Sequence, residues 1–170
     1  MTIEAINPAT DEVIGRYEDH SPSDVNQIIQ AADHTFQQWR RTEFAERASK
    51  MRQAAQILRS KAREYGELMA REMGKPVKDG IAEAHKCAWV CDYYADHAEK
   101  FLAPEFIETD ASESFVSYQP LGVVLAVMPW NFPFWQVFRF AAPALMAGNT
   151  ALLKHASNVP GCALTIERIF

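Results

Sequence analysis

The sequence predicts an α/β fold that closes with a strand–helix–strand–helix unit. Residues 122–128 (GVVLAVM) and 150–153 (TALL) are uninterrupted apolar runs separated by an apolar stretch of helical length. A run without polar alternation is typical of a parallel strand that is buried on both faces. Ahead of these runs, apolar residues recur every three or four positions, which indicates helices. We therefore expect N-terminal helices followed by a βαβ unit with a right-handed crossover.

The first elements are a hairpin and a capped helix. Turn-forming residues at 7–12 (NPATDE) lie between two short apolar segments, as in a β-hairpin. Ser21 and Asp24 have the spacing of a capping box, which marks the start of a helix. The apolar face of that helix consists of Val25, Ile28, Ile29, Ala32, Phe36 and Trp39.

Two more helices are predicted before the apolar runs. Thr42 is a candidate N-cap for the first, whose apolar face extends over residues 44–69. Gly74, followed by Pro76, ends this helix in the manner of a left-handed cap. The other helix carries its apolar positions within residues 81–98.

The last elements include the βαβ unit. Two parallel strands cannot cover both faces of a doubly wound sheet, so we expect the chain to be the front portion of a longer protein. A small helical domain that is complete with two strands is the alternative. The elements predicted here are strands at 106–107 and 115–118, a strand at 122–128 ended by Pro129, a helix from about Pro133 to Ala147, a strand at 150–153 ending in Lys154, and a helix beginning near Val159.

Composition and charge exclude several classes of protein. The chain has 170 residues, with 17 Lys and Arg against 22 Asp and Glu, a net charge of −5. It cannot neutralise a run of phosphates, which excludes a protein that coats nucleic acid. Three cysteines exclude a disulfide scaffold, and without a basic, apolar leader we expect a cytoplasmic protein. Residues 114–153 hold one charge, Arg139, but their four prolines argue against a membrane-spanning helix.

Candidate functional residues follow the two predicted parallel strands, because open α/β sheets bind ligands beyond the carboxyl ends of their strands. The Asn131 amide either bonds its own loop or donates to developing negative charge. Lys154 is either solvated or a cation for an anionic ligand beside a helix start. Arg139, on the intervening helix, forms either an internal salt bridge or a site for a substrate carboxylate.

The cysteines offer no clear site. Cys87 and Cys91 are four residues apart near His85, which could form a metal-binding face or simply pack in the core. No second ligand pair with zinc spacing exists, so we favour the core and expect no metal site. Cys162 has no histidine beside it and is not interpreted as a nucleophile.

A set of motifs that covers the whole chain resembles the aldehyde dehydrogenase superfamily. Its members are INPAT at 6–10, GKP at 74–76, PLGVV at 120–124, PWNFP at 129–133, APAL at 142–145, GN at 148–149 and LK at 153–154. The segment WQVFR at 135–139 looks most like the bacterial succinate-semialdehyde dehydrogenases. The resemblance implies that residues 1–170 are an incomplete Rossmann-like cofactor-binding domain. It also implies that residues 104–119 are an inserted oligomerisation hairpin.

The resemblance implies a role for each matched residue. Asn131 would supply the amide of the oxyanion hole. Val127, Pro129 and Trp130 would line the ribose and adenine side of the cofactor. Lys154 would hydrogen-bond the adenosine ribose hydroxyls.

Two further positions bear on specificity. NAD-preferring members commonly have Glu where this chain has Ser157, and a hydroxyl does not repel a 2′-phosphate, so we expect NADP as the cofactor, with NAD possible. Arg139 falls where succinate-semialdehyde-specific members grip the substrate carboxylate. His155 departs from the family, which usually has Pro there, but leaves the role of Lys154 in place.

The implied activity is oxidation of succinate semialdehyde, or a similar short carboxylated aldehyde, by thiolate attack, hydride transfer and thioester hydrolysis. The family's nucleophilic cysteine, general-base glutamate and pyrophosphate loop lie beyond the position of Phe170, and none of the three cysteines here matches the nucleophile's motif. We therefore expect this chain alone to be inactive. A homodimer or homotetramer is expected of the intact enzyme, with no nucleic-acid or membrane partner. The alternative is a non-catalytic assembly module or a gene remnant.

Overall fold

The computed structural model describes residues 2–170, which contain six strands and six helices. The predicted α/β fold is confirmed. The strands pair as three two-stranded sheets, of which the last is parallel and the others antiparallel. The strands are β1 (Thr2–Ile6), β2 (Val13–Glu18), β3 (Glu105–Phe106), β4 (Phe115–Val116), β5 (Val123–Met128) and β6 (Thr150–His155). The helices are α1 (Pro22–Trp39), α2 (Phe44–Ser60), α3 (Ala62–Met73), α4 (Val77–Phe101), α5 (Trp135–Met146) and α6 (Pro160–Ile169).

The start of α1 has the predicted capping box. The Asp24 N–H donates to the Ser21 hydroxyl at 3.2 Å, and the Ser21 N–H donates to the Asp24 carboxylate at 2.8 Å. Hydrogen bonds from Ser21 lower the pKa of the Asp24 carboxyl. The hairpin β1–β2 is also confirmed. Of the predicted apolar face of α1, Phe36 is buried, but Val25 and Ile29 stay more than two-fifths exposed.

The single helix predicted over residues 44–69 is in fact two helices. They meet at Lys61, whose φ of −111° and ψ of 16° leave the helical range. Just before it, the Ser60 hydroxyl donates to the Ile57 carbonyl at 3.0 Å, and the same carbonyl also accepts the Lys61 N–H at 3.0 Å. Leu58 and Ala62, on either side of the break, are both buried, so the apolar face continues across it.

The prediction that Thr42 caps α2 is wrong. Its hydroxyl donates to the Trp39 carbonyl at 2.7 Å, at the end of the preceding helix. Glu43 occupies the N-cap position and makes no side-chain capping bond. The predicted stop at Gly74 is confirmed, because this residue has a φ of 74° and its N–H donates to the Ala70 carbonyl.

Helix α4 packs against α2 and α3 and contributes to the central core. Cys87 and Cys91 have no exposed surface, which confirms that they pack as core residues. Burial raises the pKa of Cys91 to about 12 and that of Cys87 well above its ordinary value. Both thiols are therefore protonated at neutral pH and have no nucleophilic character.

Asn149 fastens the βαβ unit together. Its side-chain oxygen accepts from the N–H groups of Leu121 at 2.7 Å and Gly122 at 3.2 Å, just before β5. Its side-chain nitrogen donates to the Ala144 carbonyl in α5 at 3.1 Å. The preceding Gly148, with a φ of 86°, makes the turn that brings this buried amide between the two elements.

The expectation that β5 is buried on both faces is wrong for the described residues. Ala126 is 4% exposed, but its neighbours Leu125 and Val127 are each 65% exposed. Successive side chains of a strand point to opposite faces, so one face of β5 packs on the core while the other is uncovered by residues 2–170.

Several element ends differ from the predictions by one or two residues. Helix α5 begins at Trp135 instead of Pro133, and β6 continues through Lys154 to His155. Strands β3 and β4 have two residues each and leave out Ile107, Ser117 and Tyr118. None of the helices within residues 2–170 combines the length and apolar character that crossing a membrane requires.

Candidate functional site

The predicted site residues gather at the carboxyl end of the parallel sheet. In the register of β5 and β6, Val127 lies opposite Lys154 and Met128 lies opposite His155. Two loops leave this edge: residues 129–134 lead to α5, and residues 156–159 lead to α6. The edge and its loops carry Val127, Pro129, Trp130, Asn131, Lys154 and Ser157.

Asn131 is exposed at the middle of the loop between β5 and α5. Its side-chain amide makes no hydrogen bond to any of residues 2–170, so the interpretation that it bonds its own loop is wrong. Lys154 and Ser157 are exposed as well, and Trp130 is 49% exposed. This edge therefore exposes an amide, a cation, a hydroxyl and an indole.

Arg139 lies on α5, four residues after Trp135 and so on the same side of the helix. It is exposed, and its guanidinium forms no ion pair or hydrogen bond within the described part of the chain. The alternative of an internal salt bridge is therefore wrong for these residues. Pro143 has no N–H to offer the Arg139 carbonyl, which interrupts the helical bonding there.

An open groove of about 200 Å³ runs between α4 and α5 beside the Asn131 loop. Phe132 and Trp135 form its aromatic wall, and the Lys86 ammonium lies 4.0 Å from the centre of the Trp135 ring. The groove is completed by Asp79, Ala82 and Glu83. Arg139 is one helical turn beyond Trp135, next to a groove whose lining holds the Lys86 ammonium and the carboxylates of Asp79 and Glu83.

His155 connects the two loops. It is buried, its Nδ1 accepts the N–H of Ala156 at 2.8 Å, and its Nε2 lies 2.9 Å from the Pro133 carbonyl. A nitrogen that accepts an N–H bond carries no proton, so the ring is neutral with its proton on Nε2. Burial lowers the pKa of His155 below its ordinary value of 6.5.

We expect the protein to lose stability as the pH falls below 6.5, because the unfolded chain then binds a proton at His155 more readily than the folded chain. The contribution is complete above pH 6.5, where the ring is neutral in both states. The measurement is Tm between pH 8 and pH 5 for the parent and for His155→Gln, which cannot titrate. The parent should lose more degrees over this range; equal slopes would contradict the assignment.

Sequence reasoning missed Glu83, which is 4% exposed on α4. One carboxylate oxygen accepts the N–H groups of both Phe134 and Trp135 at 2.9 Å, at the start of α5. The other oxygen pairs with the buried Lys75 ammonium. The available signal was its position three residues after Gly80 and one before Ala84, on the face of α4 that is buried.

Glu72, 3% exposed on α3, accepts N–H groups at the start of α6, as Glu83 does at the start of α5. Its two oxygens accept the N–H groups of Gly161 at 2.7 Å and Cys162 at 2.8 Å. Burial, followed by this carboxylate, raises the pKa of Cys162. The thiol is protonated at neutral pH, in agreement with the interpretation that it is not a nucleophile.

Comparison with known proteins places this geometry in a family. The model of the aldehyde dehydrogenase family matches residues 1–170. A probable NADP(+) succinate-semialdehyde dehydrogenase of Synechocystis is 58% identical over 170 residues, which are 100% of this chain and 37% of that protein. The NADP(+) succinate-semialdehyde dehydrogenase of Mycobacterium leprae is 50% identical, with 99% of this chain and 38% of that protein covered.

A solved structure gives the same result. Succinic semialdehyde dehydrogenase from Streptococcus pyogenes, crystallised in complex with NADP+, superposes with a TM-score of 0.94 at 36% identity. The match covers 98% of this chain and 37% of that one. The chain thus spans less than two-fifths of the length of these relatives. With a family match over its whole length, the chain belongs to the aldehyde dehydrogenase family.

Proposed function

We propose that this chain forms the cofactor edge and the oxyanion loop of an NADP-dependent enzyme that oxidises succinate semialdehyde, or a similar short carboxylated aldehyde, to the acid. The observation that carries the proposal is Arg139, an exposed guanidinium without a partner among residues 2–170, one turn beyond the groove wall at Trp135. A guanidinium matches a carboxylate through two parallel hydrogen bonds. The names of the relatives support the same substrate class.

The residues at the sheet edge fit a phosphorylated dinucleotide. Val127 and Trp130 offer exposed apolar surface for a ribose and a purine, and Lys154 lies opposite Val127 in the register. Ser157 offers a hydroxyl, where a carboxylate would repel a 2′-phosphate. Pro129 ends the strand and completes this wall. NADP, when bound, supplies the hydride acceptor.

In this proposal Asn131 and Arg139 act at opposite ends of the aldehyde. The Asn131 amide donates a hydrogen bond to the carbonyl oxygen as negative charge develops on it, an interaction that is stronger in the transition state than in the ground state. Arg139 holds the distal carboxylate and so orients the carbonyl. Phe132 and Trp135 exclude water between the two ends. The three cysteines of this chain are buried, and burial raises the pKa of each thiol, so the proposal assigns none of them the role of nucleophile.

The hairpin at residues 104–119 is proposed as the oligomerisation arm of a homodimer or homotetramer. Phe106 is 69% exposed and Phe115 53% exposed, and their ring centres are 5.9 Å apart. Paired exposed aromatic side chains on a two-stranded arm are typical of a surface that is buried in an assembly. The three free thiols favour a reducing compartment, the cytoplasm.

The test of the cofactor assignment is kcat/KM for succinate semialdehyde with NADP and with NAD, in a full-length enzyme that contains this chain. We expect NADP to be preferred. The Ser157→Glu variant should lower kcat/KM with NADP by about tenfold or more, because its carboxylate repels the 2′-phosphate. The control is Ser157→Gln, because glutamine has nearly the size of glutamate but no charge. Equal or better use of NAD by the parent enzyme would contradict the assignment.

A further inference from the structure

We propose that Lys75 and Glu83 are a positioning pair that holds the oxyanion loop in its working geometry. The inference rests on the proposed role of Asn131 and extends it to two buried residues that act through the loop carrying Asn131. Asn131 itself is exposed and bonds to none of residues 2–170, so its position depends on how its neighbours in the loop are held.

Glu83 fixes the loop on the helix side of Asn131. Its carboxylate accepts the N–H groups of Phe134 and Trp135, both at 2.9 Å, three and four residues after Asn131. These N–H groups open α5 and have no partner in their own helix. A charged acceptor makes such bonds shorter and stronger than a neutral one does.

Lys75 fixes the loop at the residue adjacent to Asn131. Its ammonium lies 3.9 Å from the centre of the Phe132 ring and pairs with the second oxygen of Glu83. The side chains of Lys75 and Glu83 are 8% and 2% exposed, so the pair is shielded from solvent. Lys75 therefore links the ring beside Asn131 to the carboxylate that holds the start of the helix.

Both oxygens of the Glu83 carboxylate are engaged in hydrogen bonds or an ion pair. One oxygen takes two N–H groups, and the other takes the Lys75 ammonium. Glu72 is a natural comparison, since it also caps a helix, α6, with a buried carboxylate. Its hydrogen bonds go to Gly161 and Cys162 and not to the 129–134 loop, so it is the comparison for a buried cap that does not bond this loop.

The test uses a full-length enzyme that contains this chain. Glu83→Gln keeps the size of the side chain and an oxygen acceptor but removes the charge. We expect kcat to fall about tenfold, with KM for NADP within twofold of the parent, because a displaced oxyanion donor affects the chemical step. The matched control Glu72→Gln should lower Tm and leave kcat within twofold.

A double-mutant cycle separates positioning from general destabilisation. If Glu83 acts through Asn131, Glu83→Gln should lower kcat in the parent but not in an Asn131→Ala background. An equal factor in both backgrounds overturns the positioning pair and leaves the proposed function standing. No change of kcat in Asn131→Ala alone overturns both.

A second pair of variants covers the case in which Glu83→Gln does not fold. Lys75→Arg retains a cation that can pair with Glu83 and lie over the Phe132 ring, and this variant should keep most of kcat. Lys75→Met removes the charge and should lower kcat about tenfold, as Glu83→Gln does. The proposal is overturned if both Lys75 variants show the same kcat.

Discussion

Replacing Asn131 with Ala should lower kcat by about 10²–10³ in a full-length enzyme that contains this chain, the loss typical of removing one oxyanion donor. The structure supports this size of effect, because the amide is exposed and bonds to none of residues 2–170. Its removal therefore costs no internal contact of the described chain. Steady-state kinetics with succinate semialdehyde and NADP measure the change in kcat.

The control for this prediction is Asn26→Ala, which removes an exposed amide from α1. Its kcat should equal that of the parent. Asn131→Asp provides a second comparison, because a carboxylate of nearly the same shape repels developing negative charge and should reduce kcat at least as far as Ala does. If Asn131→Ala retains more than half of the parent kcat, the oxyanion role is wrong.

Replacing Arg139 with Ala should raise KM for succinate semialdehyde by about 10–150-fold, the equivalent of about 1.5–3 kcal/mol for a hydrogen bond to a charged group. KM for butanal, an uncharged aldehyde of the same length, should change very little, because butanal offers no carboxylate to the guanidinium. The measurement is kcat/KM for both aldehydes in the parent and in the variant.

Two further arginine variants sharpen this prediction. Arg139→Lys keeps the charge but loses the bidentate geometry, so its KM should lie between those of the parent and Arg139→Ala. Arg71→Ala removes an exposed arginine from α3 and should leave kcat/KM for both aldehydes unchanged. Equal losses on succinate semialdehyde and butanal would show that Arg139 supports the fold of the groove instead of binding a carboxylate.

Local signals in the sequence were sufficient for much of the fold. The capping box at Ser21 and the left-handed stop at Gly74 depend on residues within a few positions of each other, and both are confirmed. The break at Lys61 has no such signal: Ser60 precedes it, but serine is tolerated inside helices, and its hydroxyl leaves the bond from Lys61 to Ile57 in place. The exposure of Leu125 depends on which elements cover the sheet, which a strand's own residues do not specify.

In the candidate site, too, some features follow from local sequence signals and others depend on contacts between distant residues. The loop that carries Asn131 and the residue Lys154 were predicted at one edge because parallel strands end at the same edge of a sheet, and the pairing of β5 with β6 confirms this. Glu83 escaped detection because its partners, Phe134 and Trp135, are 51 and 52 residues away. Its glutamate type also suggests a surface residue, since a charge is rarely buried unless it is paired. Only the tertiary structure reveals that Glu83 is buried and paired with Lys75.

The two buried carboxylates also have a consequence for the order in which the chain is assembled. The N–H groups that open α5 and α6 have their acceptors on α4 and α3, elements that a ribosome produces earlier. When the βαβ segment emerges, the side chains that complete its helices are already present. Residues 122–170 transplanted into another scaffold would lose both acceptors, so this segment is a dependent part of the helical layer and not a portable module.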